Sequence, residues 1–332
     1  MAKGIRAPLH TPLCDLLGCD VPVLLAGMGG VSRWELAAAV ANAGGYGILG
    51  MVRKAPELIA KEVTALKTAT EPRLLDAQIS CCFDLGVTAF SFFWDVMSEI
   101  VARVKQAGCL VLHQVGTLQA ARLAEEAGAD VIIAQGIEAG GHVHGRTPAF
   151  ALAREILDRT ELPVVVSGGI ATGAGLAAAL ESKASGVQCG TAFLATEESF
   201  AHQYHKWRVV STTGEDTVLT DVFVLNWPAG AAVRVISNSV TDGLEGRFIG
   251  HDPENLQREV IAWDGNHPRL RFSTDSPLRT TSGDLEPMAL YAGRGVGDIL
   301  DIPSAAVRLT EMVTNAAHLL ESSYRTNCEA VS

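Results

Sequence analysis

The strongest constraint on the fold of this chain is a regular alternation of strand-like and helix-like segments over its first two-thirds. Short apolar runs that are typical of buried strands are separated by segments with helical periodicity. The strand-like runs are Val21–Met28, Tyr46–Gly50, Thr88–Trp94, Cys109–Gly116, Asp130–Gly136, Pro163–Gly169 and Gly186–Phe193. This alternation predicts parallel βαβ units and therefore an α/β fold.

Glycines at the strand ends decide between two α/β architectures. Gly27, Gly116, Gly136, Gly168 and Gly190 each stand at or near the end of a strand-like run. A doubly wound dinucleotide-binding sheet concentrates its glycines in the first turn. A (β/α)8 barrel builds its active site from many strand ends at its carboxyl rim. The distribution favours a TIM-type (β/α)8 barrel.

One strand of that barrel is missing from the pattern. Two helical segments, Ala55–Ala69 and Leu74–Leu85, follow each other with only residues 70–73 between them. This linker is too short for a strand and its loops, although parallel neighbours need a crossover connection. The sequence therefore predicts a barrel that lacks one strand near residues 70–74.

The pattern changes after the last strand-like run. From about Trp207 to Pro287 the chain has proline turn signals and only short apolar runs, which in a segment of this length indicates a lid or binding element. Ile302–Tyr324 resumes a helical pattern with an apolar stripe, and Pro303 suits its first turn. We predict a barrel over residues 1–205, a cap over 206–287, and a C-terminal segment, 288–332, whose helix packs back on the barrel.

Composition excludes several classes of function. The net charge of −11 argues against nucleic acid and anionic membrane surfaces as partners. The 7 cysteines form no CxxC pair or Cys/His cluster, so we expect no metal site and a reducing compartment. The sequence has no signal-peptide pattern and no apolar run long enough to span a membrane. We therefore expect a cytoplasmic protein.

A glycine-rich run after one strand carries the first candidate for chemistry. Gly140, Gly141 and His142 follow the apolar run Val131–Ile133. Glycines let backbone N–H groups approach a flat or anionic ligand closely, and histidine exchanges protons near neutral pH. This combination indicates a site where a bound ring or phosphate meets a proton-transfer group. The alternative is a glycine-rich loop with a surface histidine.

The last two strands carry the second candidate. Gly168 and Gly169 follow one strand, and Gly190 and Thr191 follow the next. In (β/α)8 enzymes the phosphate site lies at the ends of the seventh and eighth strands, where glycine N–H groups and a helix N-terminus favour a dianion. We expect Thr191 to add a hydroxyl donor. The alternative is that these are tight turns required only for packing.

Other candidates carry less information. The small residues Ala26 and Gly27, with Met28, would let a flat ring lie against the first strand end, although a simple β-to-α turn explains them equally. His113 and Gln114 point to opposite sides of their strand because strand side chains alternate. Either one is equally well explained as a buried core polar group.

Three further histidines are expected to lie outside the site. We expect His144 to face solvent, and His202 and His205 to lie on the solvated face of a helix. Glu138 is expected to order the glycine-rich loop. Because the carboxylates are scattered along the sequence, we do not expect metal catalysis.

Several runs together resemble the nitronate monooxygenases, formerly called 2-nitropropane dioxygenases. They are LLAGMGGVSRWELAAAVANAGGYGILG, VIIAQGIEAGGHVHG, PVVVSGGIATGAGLAAAL, GVQCGTAFLATEES and the tail TTSGDLEPMALYAGRGVG. The resemblance covers nearly the whole chain. It implies an FMN-binding (β/α)8 barrel with a cap, which oxidises alkyl nitronates with O2 to carbonyl compounds and nitrite.

The resemblance also implies roles for individual residues. His142 matches the histidine beside the flavin that orients the nitronate or takes its proton. The other matches are Gly168, Gly169, Gly190 and Thr191 at the FMN phosphate, Ala26, Gly27 and Met28 at the isoalloxazine ring, and Gln114 and Gln135 at polar positions near the flavin. This chain departs from the family at the strand of the type FGVNL, which is the element that the strand count finds missing.

Two alternatives to this function stay open. Related barrels include FMN-dependent NAD(P)H reductases of quinones or enoyl thioesters, although no dinucleotide fingerprint is visible. The missing strand also allows a catalytically degenerate barrel that serves as a binding protein. Oligomeric state and physiological substrate do not follow from the sequence.

Overall fold

The structure is a computed structural model that describes residues 9–51, 56–69, 86–227 and 230–331. The predicted helix Leu74–Leu85 and the predicted gap near residues 70–74 lie outside the described residues. In the described ranges the α-helices are α1 (Pro12–Leu17), α2 (Trp34–Asn42), α3 (Pro56–Ala69), α4 (Ser98–Gln106), α5 (Leu118–Ala127), α6 (Ala149–Leu157), α7 (Gly173–Glu181), α8 (Thr191–Leu194), α9 (Gln203–Val210), α10 (Ser239–Asp242) and α11 (Ala305–Val331). The strands are β1 (Val23–Leu25), β2 (Ala89–Phe93), β3 (Leu110–Val115), β4 (Val131–Gln135), β5 (Gly141–His142), β6 (Val164–Ser167), β7 (Gly186–Cys189), β8 (Thr217–Thr220), β9 (Val233–Ile236), β10 (Val260–Asp264), β11 (His267–Leu270) and β12 (Thr281–Gly283).

A parallel sheet forms the frame of the molecule. Its order is β1-β7-β6-β4-β3-β2, and every neighbouring pair is parallel. Tyr46 adds a parallel bridge to Leu24 on the free side of β1. The predicted α/β alternation is therefore confirmed, and the strand positions follow the order of a barrel that is interrupted, in the described residues, between Tyr46 and β2. A complete eight-stranded barrel stays a prediction.

Alternating side chains fill the inner face of this curved sheet. The apolar inner layer contains Leu24, Tyr46, Leu112, Ile133 and Val165. Helix α1 adds Leu13 and Leu17 to the same cluster, and its preceding Thr11 donates from Oγ1 to Ser185 O at 2.6 Å. Because Ser185 immediately precedes β7, α1 covers the amino ends of the strands. The carboxyl ends are left for a ligand.

The C-terminal helix packs on the outside of the frame. Helix α11 begins at Ala305, so Pro303 lies before its first turn rather than within it. Its apolar face includes the buried Leu309, Met312 and Val313. A Cβ on Gly173, the first residue of α7, would lie 2.3 Å from Met312 O, so α7 and α11 touch backbone to backbone there. The helix therefore packs on the helical layer of the parallel sheet.

Two small antiparallel sheets follow the parallel one. One has the order β5-β9-β8, and the other has the order β11-β10-β12. Strand β5 carries His142 and pairs with β9, with Gly141 opposite Arg234 and His142 opposite Val233. A segment from the predicted cap thus holds the glycine-rich loop by strand pairing. Among the described helices, none has the length and hydropathy that a membrane crossing requires.

Candidate functional site

A cavity of about 840 Å³ opens at the carboxyl ends of the parallel strands. This volume lies in the upper part of the range for small-molecule and cofactor sites. The predicted site residues all line it: Ala26, Gly27, Met28, Gln114, Gln135, Gly140, Gly141, His142, Gly168, Gly169, Gly190 and Thr191. The structure therefore brings together residues that are far apart in the sequence, from Ala26 to Thr191. Their individual roles stay predictions.

His142 stands at the cavity wall in a firmly held loop. Its imidazole packs on the Trp227 ring at 4.2 Å between centroids, with an interplanar angle of 35°. Gln135, buried at the end of β4, donates from Nε2 to His142 O at 2.8 Å and accepts from His144 N at 3.3 Å. One amide side chain thus fixes the backbone on both sides of the loop.

The loop is also held from the cap side. Arg234 on β9 is buried and donates from Nη2 and Nε to Ile137 O at 2.9 and 3.1 Å. Burial lowers the pKa of this guanidinium to about 10, so it remains charged at neutral pH. Glu138 accepts from Ala149 N at 3.0 Å, at the first turn of α6. This bond ties the loop to the start of α6.

A polar layer lies above the apolar interior of the sheet. Gln188 on β7 donates from Nε2 to Gln114 Oε1 at 2.5 Å, and Ser167 Oγ lies 3.4 Å from the same nitrogen. Gln114 lines the cavity, whereas the fully buried His113 points to the other side of β3. Burial lowers the pKa of His113, so this imidazole is neutral and takes no part in the cavity.

The two glycine turns form a cradle of small residues. Gly168 and Gly169 have φ values of 115° and 72°, which a side chain would strain. In the described part of the chain, the backbone N–H groups of Gly169 and Gly190 have no protein acceptor. Thr191 Oγ1 accepts from Gly293 N at 3.0 Å, and its own O–H stays available to donate. Unsatisfied N–H groups beside a cavity suit an anion.

Not every glycine in the loop is explained by a ligand. A Cβ on Gly140 would lie 2.5 Å from Gly293 N, so Gly140 is required for the packing of the C-terminal segment. A Cβ on Gly190 would meet only Ala26 Cβ at 3.5 Å and Met28 Sδ at 3.6 Å. Packing therefore tolerates a side chain at position 190, and the small residue there leaves room in the cavity.

The first strand end makes a smooth wall. Ser32 is fully buried and donates from Oγ to Ala26 O at 2.8 Å, while accepting from Met28 N at 3.2 Å. These two hydrogen bonds fix the turn that contains Gly27. Of the three residues Ala26, Gly27 and Met28, only Met28 has a long side chain.

Aromatic residues on the other side of the cavity were not predicted. Trp94, Trp227 and Tyr291 all line it and surround His142. Trp227 and Tyr291 come from segments far from His142 in sequence, so no local pattern places them there. Tyr291 lies in the C-terminal run that carries the family resemblance, and that run is the one sequence signal that could have identified it as a site residue.

Trp94 has an unusual backbone. Its φ is 88°, a conformation that favours glycine and costs another residue about 1–2 kcal/mol. Its ring lies 6.2 Å from the His142 ring in an edge-on arrangement and 4.7 Å from the His144 ring. The expectation that His144 faces solvent is therefore wrong, because Trp94 covers it.

The expectation for the α9 histidines also needs correction. His205 is fully buried, and its Nε2 donates to Tyr291 O at 3.0 Å. Burial lowers the pKa of His205 to about 4, so the ring is neutral. The neighbouring Lys206 is buried too and donates from Nζ to Thr196 O at 2.6 Å. The helix packs under the cavity wall. His202 precedes the helix and accepts from Tyr204 N at 3.0 Å as its N-cap.

Across the described ranges, no group of three or more His, Cys, Asp or Glu side chains is arranged to hold a metal ion.

Comparisons with known proteins agree with this arrangement. The (3aS,4S,5R,7aS)-5-hydroxy-7a-methyl-1-oxo-octahydro-1H-indene-4-carboxyl-CoA dehydrogenase of Mycobacterium tuberculosis is 36% identical over 225 residues, covering 64% of this chain and 63% of that protein. A nitronate monooxygenase of Paraburkholderia phytofirmans is 32% identical over 311 residues, covering 76% of this chain and 82% of that protein. FabK from Thermotoga maritima has a similar structure, with a TM-score of 0.80 at 27% identity, covering 96% of this chain and 99% of that one.

A family model also matches most of the chain. The model of the nitronate monooxygenase family matches residues 10–74 and 74–315. The two matched segments meet at the position where the sequence predicts a missing strand. Because the match covers most of the chain, this protein belongs to the nitronate monooxygenase family of oxidoreductases.

Proposed function

We propose that this chain is an FMN-dependent nitronate monooxygenase, which oxidises alkyl nitronates with O2 to carbonyl compounds and nitrite. One observation carries the proposal. His142 and the cradle at Gly168–Gly169 and Gly190–Thr191 face one cavity of about 840 Å³. A cavity of this size suits a cofactor together with a small substrate.

The residues present fit FMN. Its phosphate would be held by the unsatisfied N–H groups of Gly169 and Gly190 and by the Thr191 hydroxyl. Its ring would lie against the wall made by Gly27 and Met28, beside the amide of Gln114. When bound, the flavin supplies the electron acceptor for the nitronate and the reaction with O2.

His142 would handle the substrate's polar end. A nitronate carries its negative charge on the two oxygens attached to nitrogen, and an imidazole N–H donates to such an oxygen. Gln135 and Arg234 fix the backbone of the loop, and Trp227 fixes the ring, so the imidazole is oriented before substrate arrives. Trp227 and Tyr291 line the same cavity and would reduce the access of water to a substrate bound there.

We also propose the finer organisation that the sequence predicts. It comprises a TIM-type barrel over residues 1–205 that is short of one strand, a cap over 206–287 and a C-terminal segment over 288–332. Support comes from the cap residues Asn226, Trp227 and Thr274, which complete the cavity wall. A cytoplasmic location stays a prediction.

The visible spectrum of the purified protein tests the cofactor and the reaction together. We expect a flavin spectrum that ethyl nitronate bleaches under anaerobic conditions without NAD(P)H, and that returns when O2 is admitted with release of nitrite. His142→Ala should keep the flavin but lose turnover by roughly 10²- to 10⁴-fold. His318→Ala, at an exposed position on α11, is the matched control and should behave as wild type.

A reductase is the second candidate, because a CoA-thioester dehydrogenase is among the relatives. It predicts that NAD(P)H, and not the nitronate, bleaches the flavin. A protein that shows no flavin spectrum even after FMN is added would instead support a binding role. Either result would overturn the proposed monooxygenase.

A further inference from the structure

Trp94 combines a backbone of the glycine type with a large side chain. It follows β2 directly and has a φ of 88°. Only two other non-glycine residues in the described chain, Lys183 and Glu245, have a positive φ. Neither of them lines the cavity, whereas Trp94 does. The strained tryptophan therefore stands at the site itself.

Its ring is held as a rigid wall. The indole packs tilted on the His144 ring at 4.7 Å and edge-on to Phe93 at 5.4 Å. On its other side it meets the His142 ring edge-on at 6.2 Å. These three ring neighbours restrict the rotation of the indole.

We propose that Trp94 determines substrate size in this chain by limiting the group carried on the reacting carbon to a short alkyl chain. The inference rests on the proposed function for the identity of the substrate, a small aliphatic nitronate. The wall itself depends only on the geometry around His142. Removing the indole opens space beside the imidazole without moving the glycine turns that hold the other end of the cavity.

The backbone makes a clean test available. Trp94→Gly places a residue for which a φ of 88° is unstrained, so the variant should fold. Trp94→Phe keeps an aromatic wall and the same backbone. Trp207→Ala, at a position that is 58% exposed on α9, controls for the loss of a tryptophan elsewhere.

The measurement is kcat/KM for straight-chain nitronates of two to six carbons. We expect wild type, Trp94→Phe and Trp207→Ala to lose activity steeply as the chain lengthens. Trp94→Gly should gain about tenfold or more on the longest nitronate relative to the shortest, since one or two methylenes account for such ratios in an apolar pocket. A chain-length profile that is the same in Trp94→Gly and wild type would overturn the proposal.

A second readout separates this proposal from the proposed function. Calorimetric titration with straight-chain carboxylates of three to seven carbons measures the space beside His142 without any reaction, because a carboxylate is a planar anion like a nitronate. If nitronates fail to react but Trp94→Gly shifts carboxylate affinity toward longer chains, the role of Trp94 is supported and the proposed monooxygenase activity is overturned. If nitronates react and neither profile shifts, only the role of Trp94 is overturned.

Discussion

Gly190→Ala offers the sharpest test of the phosphate cradle. Gly190 has a φ of −104°, which other residues adopt without strain, and it caps the short helix α8. The added Cβ would lie at ordinary contact distances, 3.5 Å from Ala26 Cβ and 3.6 Å from Met28 Sδ. The fold should therefore accept the substitution. The new methyl group would occupy cavity space next to the unsatisfied N–H of residue 190.

The size of the effect follows from the bonds that would be lost. A hydrogen bond to a charged group contributes about 1.5–3 kcal/mol. Displacing the phosphate from one such N–H should therefore weaken FMN binding by roughly 10- to 150-fold. Riboflavin, which lacks the phosphate, should bind the variant and wild type about equally.

The assay is a titration of the apoprotein with FMN and with riboflavin, followed by quenching of flavin fluorescence. Gly243→Ala is the matched control, because Gly243 has a φ of −66° and a Cβ there would meet nothing closer than 3.4 Å. It should leave both affinities and the unfolding midpoint unchanged. An unchanged FMN affinity in Gly190→Ala, or an equal loss for FMN and riboflavin, would refute the placement of the phosphate.

Three further predictions concern the bonds of Gln135, the close approach of Gly145 to Gly116, and the buried His205. Gln135→Leu removes both bonds that hold the His142 loop, so kcat should fall by about 10- to 100-fold while FMN affinity stays, and Gln119→Leu on the exposed side of α5 should have no effect. Gly145→Ala would place a Cβ 1.9 Å from a backbone oxygen of Gly116, so urea unfolding should show a loss of about 3 kcal/mol or more, and wild-type stability would contradict the close approach. Burial lowers the pKa of His205 to about 4, so between about pH 6.5 and pH 4 only the unfolded chain takes up the proton, and stability should fall as pH falls by up to about 3 kcal/mol. His205→Gln should flatten that part of the pH profile, and an unchanged profile would show that His205 does not cause it.

Local patterns are sufficient to predict the parallel sheet and the glycine turns that line the cavity. Helix α5 is bounded by local signals, because Thr117 caps its start and Gly128 ends it in a left-handed conformation. Glycine turns at strand ends identified Gly168 and Gly190 because parallel strands bring their carboxyl ends to one edge. Both signals are present within a few residues of the feature that they predict.

The aromatic wall and the buried histidine depend on contacts that no local pattern displays. His205 and Lys206 look like a solvated helix face in the sequence, since both side chains are polar. Their partners are backbone carbonyl oxygens, Tyr291 O and Thr196 O, which every residue type possesses. Trp94 likewise follows a strand where a small turn residue would be expected, and only its φ shows that the position is of the glycine type.

The pairing of β5 with β9 has a consequence for motion. Val143 N, one residue beyond His142, donates to Ala232 O at 2.9 Å. The backbone of the His142 loop is therefore bonded directly to the cap. A cap that swings open must break these bonds and release the imidazole from its orientation. While the cap is open for product exit, His142 would not be oriented toward a substrate. The exchange rate of the Val143 amide hydrogen would report how often that happens, separately from unfolding of the parallel sheet.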